Sequence, residues 1–306
     1  MKKDFLAVID YSSEELQQML DRAVEIKAAW KAHGNSDVLK DKSLGMIFQK
    51  PSLRTRVSFE RGIQQLGGNA LYLSPSEIGL GKRESIADVA RVLSGYVDGI
   101  MARVFEHDHI LQLAKWSSVP VINGLSDYNH PCQAMADALT IQEEFGSLKD
   151  RKVVFIGDGN NVAISLMFVC VKLGAHFVFS GPDGYLLKDK DLEIARKIGA
   201  ETGSTVIIEQ DPVKSVKDAD VVYTDTWTSM GQEEEAKRRE AVFPPYQVNE
   251  ILLSHAADHV IVMHCLPAHR GQEITDEVAD GPHSRLFPEA HNRMHAQKAI
   301  LEYLLK

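Results

Sequence analysis

The chain alternates between short apolar runs and amphipathic segments, and this alternation limits the possible folds more than any other feature. An apolar run at residues 44–48 precedes a helix-like pattern that stops at Gly67 and Gly68, and a second run at 152–156 precedes another at 161–173. Repeated strand–helix order predicts parallel sheets covered by helices. We therefore expect an α/β protein built from two doubly wound parallel-sheet domains.

The length of 306 residues also fits two domains. The alternation restarts after a short polar stretch at residues 146–151, which predicts the hinge between the domains. The first domain is expected to span residues 1–145 and the second residues 146–288, with a last amphipathic helix in residues 289–306.

Composition excludes several classes of partner. The net charge of -9 argues against nucleic acid or an anionic membrane surface. The N-terminal residues lack a signal-peptide core, no apolar run is long enough to span a bilayer, and the three cysteines form no CxxC pair. We expect a cytoplasmic protein that needs a local basic pocket to bind an anionic substrate.

Such a pocket is predicted where the first apolar run meets its helix. Ser52, Leu53, Arg54 and Thr55 occupy the expected first turn. Free backbone N–H groups at a helix start bind anions, and guanidinium groups suit phosphate. The residues therefore predict either a phosphate cradle or a capped helix with a solvated basic face, and the turn alone does not decide between them.

Polar clusters follow several predicted strands. In parallel α/β sheets, ligands bind beyond the carboxyl ends of the strands. Six clusters across both halves therefore predict one active site in the cleft between the two domains. They are residues 52–56, Arg103, 130–133, 157–161, 225–231 and 264–270.

A glycine-rich turn in the second half matches the dinucleotide-binding pattern only in part, which disfavours dinucleotide binding. Gly157 and Gly159 fit the first two positions of the GxGxxG pattern, but the third position is Val162. The next strand ends on Ser180, so it supplies no acid to hold a ribose. The turn either directs Asn160 and Asn161 at a small ligand or caps the helix.

Histidine and cysteine patterns do not predict a metal or cofactor site. His107 and His109, and likewise His291 and His295, have metal-like spacing but no obvious third ligand. Cys265 follows a predicted strand and lies outside any recognisable nucleophile triad. We expect neither a metal nor an organic cofactor.

The motifs together resemble the aspartate/ornithine carbamoyltransferase family, and its ornithine branch most closely. The matching segments are PSLRTRVSFE, DVARVLSGYVDGIMAR, HPCQAMAD, GDGNN, DTWTSMG, HCLPA and HNRMHAQKA, in the family's order along nearly the whole chain. The resemblance implies a first domain that binds carbamoyl phosphate, a second that binds ornithine, and a last helix that packs back on the first. It implies transfer of the carbamoyl group to the δ-amine of ornithine, giving citrulline and phosphate for arginine biosynthesis, by a homotrimer.

The resemblance also implies roles for individual residues. The carbamoyl phosphate site would comprise Ser52, Leu53, Arg54, Thr55, Arg103, His130, Gln133, Cys265, Leu266 and Arg293. The ornithine site would comprise Asn161, Asp225, Ser229 and Met230. The catalytic groups would be Arg103, His130, Asp225 and Cys265.

Two positions depart from the family's pattern. Leu53 stands where relatives usually place Thr, which removes a hydroxyl but leaves the backbone N–H. Gly79 stands where relatives often place Gln or His, and Lys82 is a candidate replacement. The alternatives are a sister carbamoyltransferase for putrescine or an acylated ornithine, and a partner chain without activity.

Overall fold

The computed structural model describes residues 3–228 and 233–306, and it divides into two compact units. Unit 1 comprises residues 1–139 and 291–306, and unit 2 comprises residues 140–290. The chain passes from one unit to the other within two helices, Pro131–Phe145 and Leu286–Leu305. Among the described residues, no helix has both the length and the apolar character needed to cross a membrane.

Unit 1 contains a parallel sheet in the order β2-β1-β3-β4. Its strands are β1 Ser43–Phe48, β2 Asn69–Leu73, β3 Gly99–Arg103 and β4 Val121–Leu125. The helices of this part of the chain are α1 Ser13–His33, α2 Leu53–Gln65, α3 Pro75–Ile78, α4 Ile86–Leu93, α5 His107–Trp116 and α6 Pro131–Phe145.

Strand β4 lies further along the chain than the sequence predicts. The apolar pattern predicts a strand at residues 119–122 and a loop from Asn123. The strand instead begins after Pro120, which lacks an N–H group for the ladder, and continues to Leu125. Asn and Gly are rare in strands, so their presence suggested a loop. The pairing with β3 shifts register beside Arg103, which lies opposite Leu125 at the carboxyl end of β3.

Residues 74–83 are rich in Ser, Pro and Gly, which predicts a mobile loop, but the segment contains a helical turn. Pro75 begins the four-residue helix α3, and Ser74 and Glu77 cap it reciprocally through side chain and backbone. A Pro at the first helical position and a Ser–Glu capping box favour a helix even in a short segment. Gly79 ends it in the left-handed conformation, with φ of 49°.

Unit 2 contains a parallel sheet in the order β7-β6-β5-β8-β9. Its strands are β5 Lys152–Ile156, β6 His176–Ser180, β7 Val206–Ile208, β8 Val221–Thr224 and β9 Ile261–Met263. The remaining helices are α7 Asn161–Lys172, α8 Asp189–Thr202, α9 Pro212–Val216, α10 Ala236–Val242, α11 Glu250–Leu253, α12 Asp276–Ala279 and α13 Leu286–Leu305. Helices α9, α11 and α12 are too short for hydrophobic periodicity to predict.

Each unit has its own apolar core around its sheet. In unit 1, Ile47, Ile100 and Val121 from three strands are fully buried. In unit 2, Val154 and Val262 belong to the corresponding buried cluster. Strands that are apolar on both faces are typical of parallel sheets covered by helices. This packing fixes the carboxyl ends of the strands, from which the candidate site residues extend.

The turn after β5 depends on glycines that leave no room for a side chain. Gly157 has a φ of 139°, in the region that favours glycine. A Cβ atom at Gly181, just beyond β6, would lie 2.2 Å from the Gly157 carbonyl oxygen. A Cβ atom at Gly159 would lie 2.6 Å from the Leu186 backbone. The GDGNN turn is therefore packed directly against neighbouring backbone.

Substituting Gly181→Ala is expected to destabilise unit 2 by about 1–3 kcal/mol, because the new methyl group must displace backbone rather than a flexible side chain. Urea unfolding would measure the loss. Gly184→Ala is the matched control, since a Cβ atom there meets nothing within 4 Å, although its φ of 84° adds local strain. Equal stabilities of the Gly181→Ala variant and the wild type would contradict the close packing of this turn.

Candidate active site

The first group of site residues lies at the start of α2, directly after β1. Ser52 is the N-cap, and its hydroxyl accepts a hydrogen bond of 3.4 Å from the Thr55 backbone N–H. The Leu53 side chain is 75% exposed. An apolar side chain offers a ligand no hydrogen bond, so only the backbone N–H of Leu53 can donate to an anion. The predicted helix start is confirmed.

Three donors converge on the buried hydroxyl of Thr55. The Arg103 Nη1 atom lies 3.3 Å from Thr55 Oγ1, Arg293 Nη2 lies 3.2 Å from it, and the Ser52 hydroxyl lies 3.1 Å from it. A hydroxyl oxygen has two acceptor lone pairs, so three donors exceed its capacity. The arrangement therefore places N–H and O–H groups where an additional oxyanion could accept them.

His130 lies among the same guanidinium groups. The imidazole is 4% exposed, and its pKa is held well below the usual value by burial and then by the positive charges of Arg293, Arg103 and Arg54. The ring is therefore neutral near pH 7, and it can donate one hydrogen bond without adding charge. Next along the chain, burial raises the pKa of the Cys132 thiol to about 12, so this cysteine is chemically inert.

Gln133 is oriented by a carboxylate that the sequence interpretation left without a role. The Gln133 amide nitrogen donates to Asp137 Oδ1 at 2.8 Å, and both residues are buried in α6. Residues four apart face each other on a helix, so this spacing was a usable signal. The Asp137 carboxylate therefore orients the Gln133 amide so that its nitrogen end faces Asp137.

The turn after β5 resolves the role of Asn160. Its side-chain oxygen accepts from Val162 N and Ala163 N, which caps α7, and its side-chain nitrogen donates to Asp225 Oδ2 at 2.7 Å. The capping alternative is therefore confirmed for Asn160. Asn161 is the first residue of α7, and its ligand role stays a prediction.

Asp225 and Cys265 form a close pair in unit 2. The Cys265 thiol lies 3.1 Å from Asp225 Oδ1, and this carboxylate oxygen also accepts from the Thr226 backbone N–H at 2.8 Å. Cys265 is partly exposed, whereas Cys132 and Cys170 are buried. Ser229 and Met230, predicted to bind ornithine, lie outside the described residues.

The HCLP segment is held by a buried histidine. His264 Nδ1 accepts from the Leu266 backbone N–H at 2.9 Å, so its proton is on Nε2, which donates to Glu273 at 3.0 Å. Leu266 has a φ of 58°, which is unusual for a residue with a side chain, and the Leu266–Pro267 peptide is cis.

One cluster within the described residues has the side-chain atoms that metals prefer. Ligand atoms of Asp225, His264 and Cys265 lie within 4.8 Å of one another. Both imidazole nitrogens of His264 are already engaged, by Leu266 N–H and by Glu273. A metal ion would have to displace one of these bonds, so the arrangement fits a structural histidine better than a metal ligand.

Two residues that sequence reasoning missed hold these segments in place. Glu289 accepts from His264 N at 2.9 Å and from the Tyr223 hydroxyl at 3.0 Å, and it is fully buried. Its carboxylate therefore joins the ends of β8 and β9, the strands that lead to Asp225 and Cys265. No local pattern reveals a contact between residues 25 positions apart.

The many charged residues at 232–240 predict a helical surface segment, but Arg239 within it does not lie at the surface. Arg239 is 4% exposed, and its Nη1 atom lies 2.7 Å from both Asp158 Oδ2 and the Trp227 carbonyl oxygen. Burial raises the pKa of Asp158 despite the opposing effect of the guanidinium. Arg239 thus connects the GDGNN turn to the backbone just before Ser229.

The histidine pairs with metal-like spacing serve separate packing roles. His107 contacts the Ser126 hydroxyl, and His109 contacts Gln49. His295 is buried against Trp30, whereas His291 is exposed.

Inorganic phosphate provides a direct probe of the α2 turn. Thr55→Val is expected to weaken phosphate binding by about tenfold or more, because it removes the hydroxyl that positions two guanidinium groups. Calorimetric titration would measure the dissociation constant. Thr55→Ser retains the hydroxyl and should bind nearly as the wild type does, and so should Leu53→Ala. Equal affinities for Thr55→Val and Thr55→Ser would remove the hydroxyl from the site.

Comparisons with known proteins match both halves of the chain. Residues 3–143 match the model of the aspartate/ornithine carbamoyltransferase carbamoyl-P binding domain. Residues 149–304 match the Asp/Orn binding domain of the same family.

Individual relatives agree over nearly the full length. The chain is 54% identical to an ornithine carbamoyltransferase of Pyrococcus abyssi, over 99% of this chain and 96% of that protein. It is 51% identical to that of Bacillus subtilis, over 99% and 94%. The solved ornithine carbamoyltransferase of Pyrococcus furiosus superposes with a TM-score of 0.97 at 52% identity, over 99% and 97% of the two chains. This chain therefore belongs to the aspartate/ornithine carbamoyltransferase family.

Proposed function

We propose that this protein transfers the carbamoyl group of carbamoyl phosphate to the δ-amine of L-ornithine, giving citrulline and phosphate for arginine biosynthesis. The observation that carries the proposal is the convergence of Ser52, Arg103 and Arg293 on the Thr55 hydroxyl at the start of α2. Relatives also support the proposal, because proteins that are 50% or more identical to this chain are named ornithine carbamoyltransferase.

The phosphate of the substrate would bind at the α2 turn. Its oxygens would accept from the Ser52 and Thr55 hydroxyls, the backbone N–H groups of the first turn, and the guanidinium groups of Arg54 and Arg103. Charge-assisted hydrogen bonds to guanidinium are stronger than neutral ones, and a helix start adds a favourable dipole. The same groups would stabilise phosphate as the leaving group when its bond to the carbamoyl carbon breaks, and this phosphate would take up the proton that the attacking amine loses.

The carbamoyl oxygen gains negative charge as the amine attacks the carbon. Arg103, Thr55 and His130 would donate to that oxygen, with Gln133, Arg293 and the Cys265–Leu266 backbone completing the carbamoyl contacts. Since burial and then the neighbouring guanidinium groups hold the pKa of His130 well below its usual value, its neutral ring would act as a donor and not as a proton source. Donors fixed in advance around a developing oxyanion commonly supply the largest catalytic contribution.

The amine must be unprotonated to attack, although an alkyl ammonium has a reference pKa of about 10.4. We propose that the Asp225–Cys265 pair holds the amino acid and favours release of its δ-proton, with Asn161, Ser229 and Met230 binding the α-amino and α-carboxylate groups. The transfer as proposed uses no metal ion and no organic cofactor. Asp225, with its carboxylate, favours a free α-amino group over an acylated one, and putrescine would leave the α-carboxylate contacts unused.

Arg103→Ala is expected to lower turnover in a citrulline assay by about 10²- to 10³-fold while the fold is retained, because one oxyanion donor is lost. Arg103→Lys keeps the charge but loses the planar fork, so an intermediate rate is expected.

The matched control is Arg196→Ala, an exposed arginine on α8, which should turn over as the wild type does. Near-normal turnover of Arg103→Ala would remove this residue from the mechanism. Absence of citrulline with the wild type would reject the function itself.

We also propose that the working protein is a homotrimer assembled through unit 1. Large apolar side chains are exposed on this unit, and such exposure often marks a protein interface. They include Leu53, Val57, Leu71, Val92, Tyr96, Phe105, Leu111 and Trp116.

Light scattering should therefore give a mass three times that of the 34.0 kDa chain. Tyr96→Asp, at a side chain that is 74% exposed, should dissociate the assembly without unfolding the chain. Ile251→Asp in unit 2, at 78% exposure, is the control and should leave the mass unchanged. A wild-type protein with the mass of one chain would overturn the trimer.

A further inference from the structure

A buried lysine in unit 1 has no carboxylate partner among the described residues. Lys298 on α13 is 1% exposed, and its ammonium group donates to Gln65 Oε1 at 3.0 Å. It also lies 5.3 Å from the centre of the Trp30 ring. Both contacts are to neutral groups, whereas buried charges in proteins are normally paired with an opposite charge.

The nearest acid along α13 is already engaged. Glu302 lies one helical turn beyond Lys298, but its carboxylate accepts from Arg22 at 3.0 and 3.2 Å and from Lys306 at 3.3 Å. Arg22 also binds Glu25 at 2.8 Å. Glu25 and Glu302 thus bind Arg22 and Lys306. The ammonium group of Lys298 instead contacts the amide oxygen of Gln65 and the ring of Trp30.

The surroundings of Lys298 carry excess positive charge. His295, which also packs against Trp30, has its pKa lowered to about 3 by burial and then by Lys298, Lys27, Lys31 and His291. Three lysines are thus among the neighbours that lower this pKa. Burial likewise lowers the pKa of Lys298 to about 8, so the ammonium group still predominates at pH 7.

A small cavity adjoins this group. Its volume is about 60 Å³, and its polar lining residues are Arg22, Trp30, Ser36, Gln65, Lys298 and Glu302. The Glu302 carboxylate in this lining is the one already bound by Arg22 and Lys306. A space of this size admits one or two water-sized species. It is too small for a nucleotide or an amino acid, but a halide or bicarbonate ion fits.

We propose that this cavity is a binding site for a small inorganic monoanion, of the size of chloride or bicarbonate, with Lys298 as its principal ligand. The ion would supply the missing negative charge next to the ammonium group. Arg22, Gln65 and Ser36 line the same cavity, and the side chain of each carries hydrogen-bond donors. The site lies among α1, α2 and α13 of unit 1 and is separate from the residues proposed to bind carbamoyl phosphate, so it does not depend on the proposed function.

Thermal unfolding of the full chain with bromide tests the site. Sodium bromide would replace sodium gluconate at constant ionic strength and pH 7, since gluconate is too large for the cavity. Binding to the folded state alone raises the unfolding midpoint, by about 3 °C at ten times the dissociation constant. A saturable rise with bromide is expected for the wild type, and parallel titrations with chloride and bicarbonate would distinguish the two natural candidates.

Lys298→Met removes the charge at nearly the same length and should abolish the saturable rise. The matched control is Lys115→Met, because Lys115 is an exposed lysine that lies 5.2 Å from the ring of Trp116. This control should respond to bromide as the wild type does. No saturable rise in the wild type, or the same rise in Lys298→Met, would overturn the proposal.

Anomalous diffraction from bromide-soaked crystals gives a second measurement that does not require Lys298→Met to fold. A bromide peak in the cavity, within hydrogen-bonding distance of Lys298 Nζ, is the expected result. Bromide peaks confined to other surfaces would contradict the assignment.

Discussion

The interaction on which the candidate site depends is the contact of three donors with one buried hydroxyl. Thr55 connects the helix start at α2 to Arg103 at the end of β3 and to Arg293 on α13. The hydroxyl cannot satisfy all of them fully. Positive charge is therefore concentrated at this site, although the protein as a whole has a net charge of -9. A dianion such as the phosphate of carbamoyl phosphate would offset this charge best.

This charge also determines the state of nearby groups. Because burial, and then the guanidinium groups, lower the pKa of His130, the imidazole stays neutral and can donate to a carbonyl oxygen at the pH at which the enzyme would work. Two buried carboxylates position other residues of the site. Asp137 orients Gln133, and Glu289 holds the segment that begins at His264. Such supporting contacts keep binding groups in one geometry before the substrate arrives.

The sequence predicted the parts of the molecule that depend on local patterns. Alternating apolar runs were sufficient for the two parallel-sheet units, and the Ser52 cap and the helix after it follow from capping chemistry. The boundary of β4 was wrong because Asn123 and Gly124 look like loop residues, although the ladder to β3 retains them in the strand.

Contacts distant along the chain could not be predicted in this way. Glu289 and Arg239 are charged residues on helices, and charged residues are usually solvated. Only the folded chain places Glu289 beside His264 and Arg239 beside Asp158. The motif resemblance supplied Arg293 as a ligand, whereas its bond to Thr55, 238 residues away, comes from the structure alone.

The central claim is that the α2 corner binds the phosphate end of carbamoyl phosphate and leaves its carbonyl carbon open to an amine. Incubation of the wild-type protein with ¹³C-labelled carbamoyl phosphate and either ornithine or putrescine tests this most directly. The account predicts labelled citrulline and phosphate in equal amounts with ornithine, and little product with putrescine. No labelled citrulline, or a faster reaction with putrescine, would contradict it.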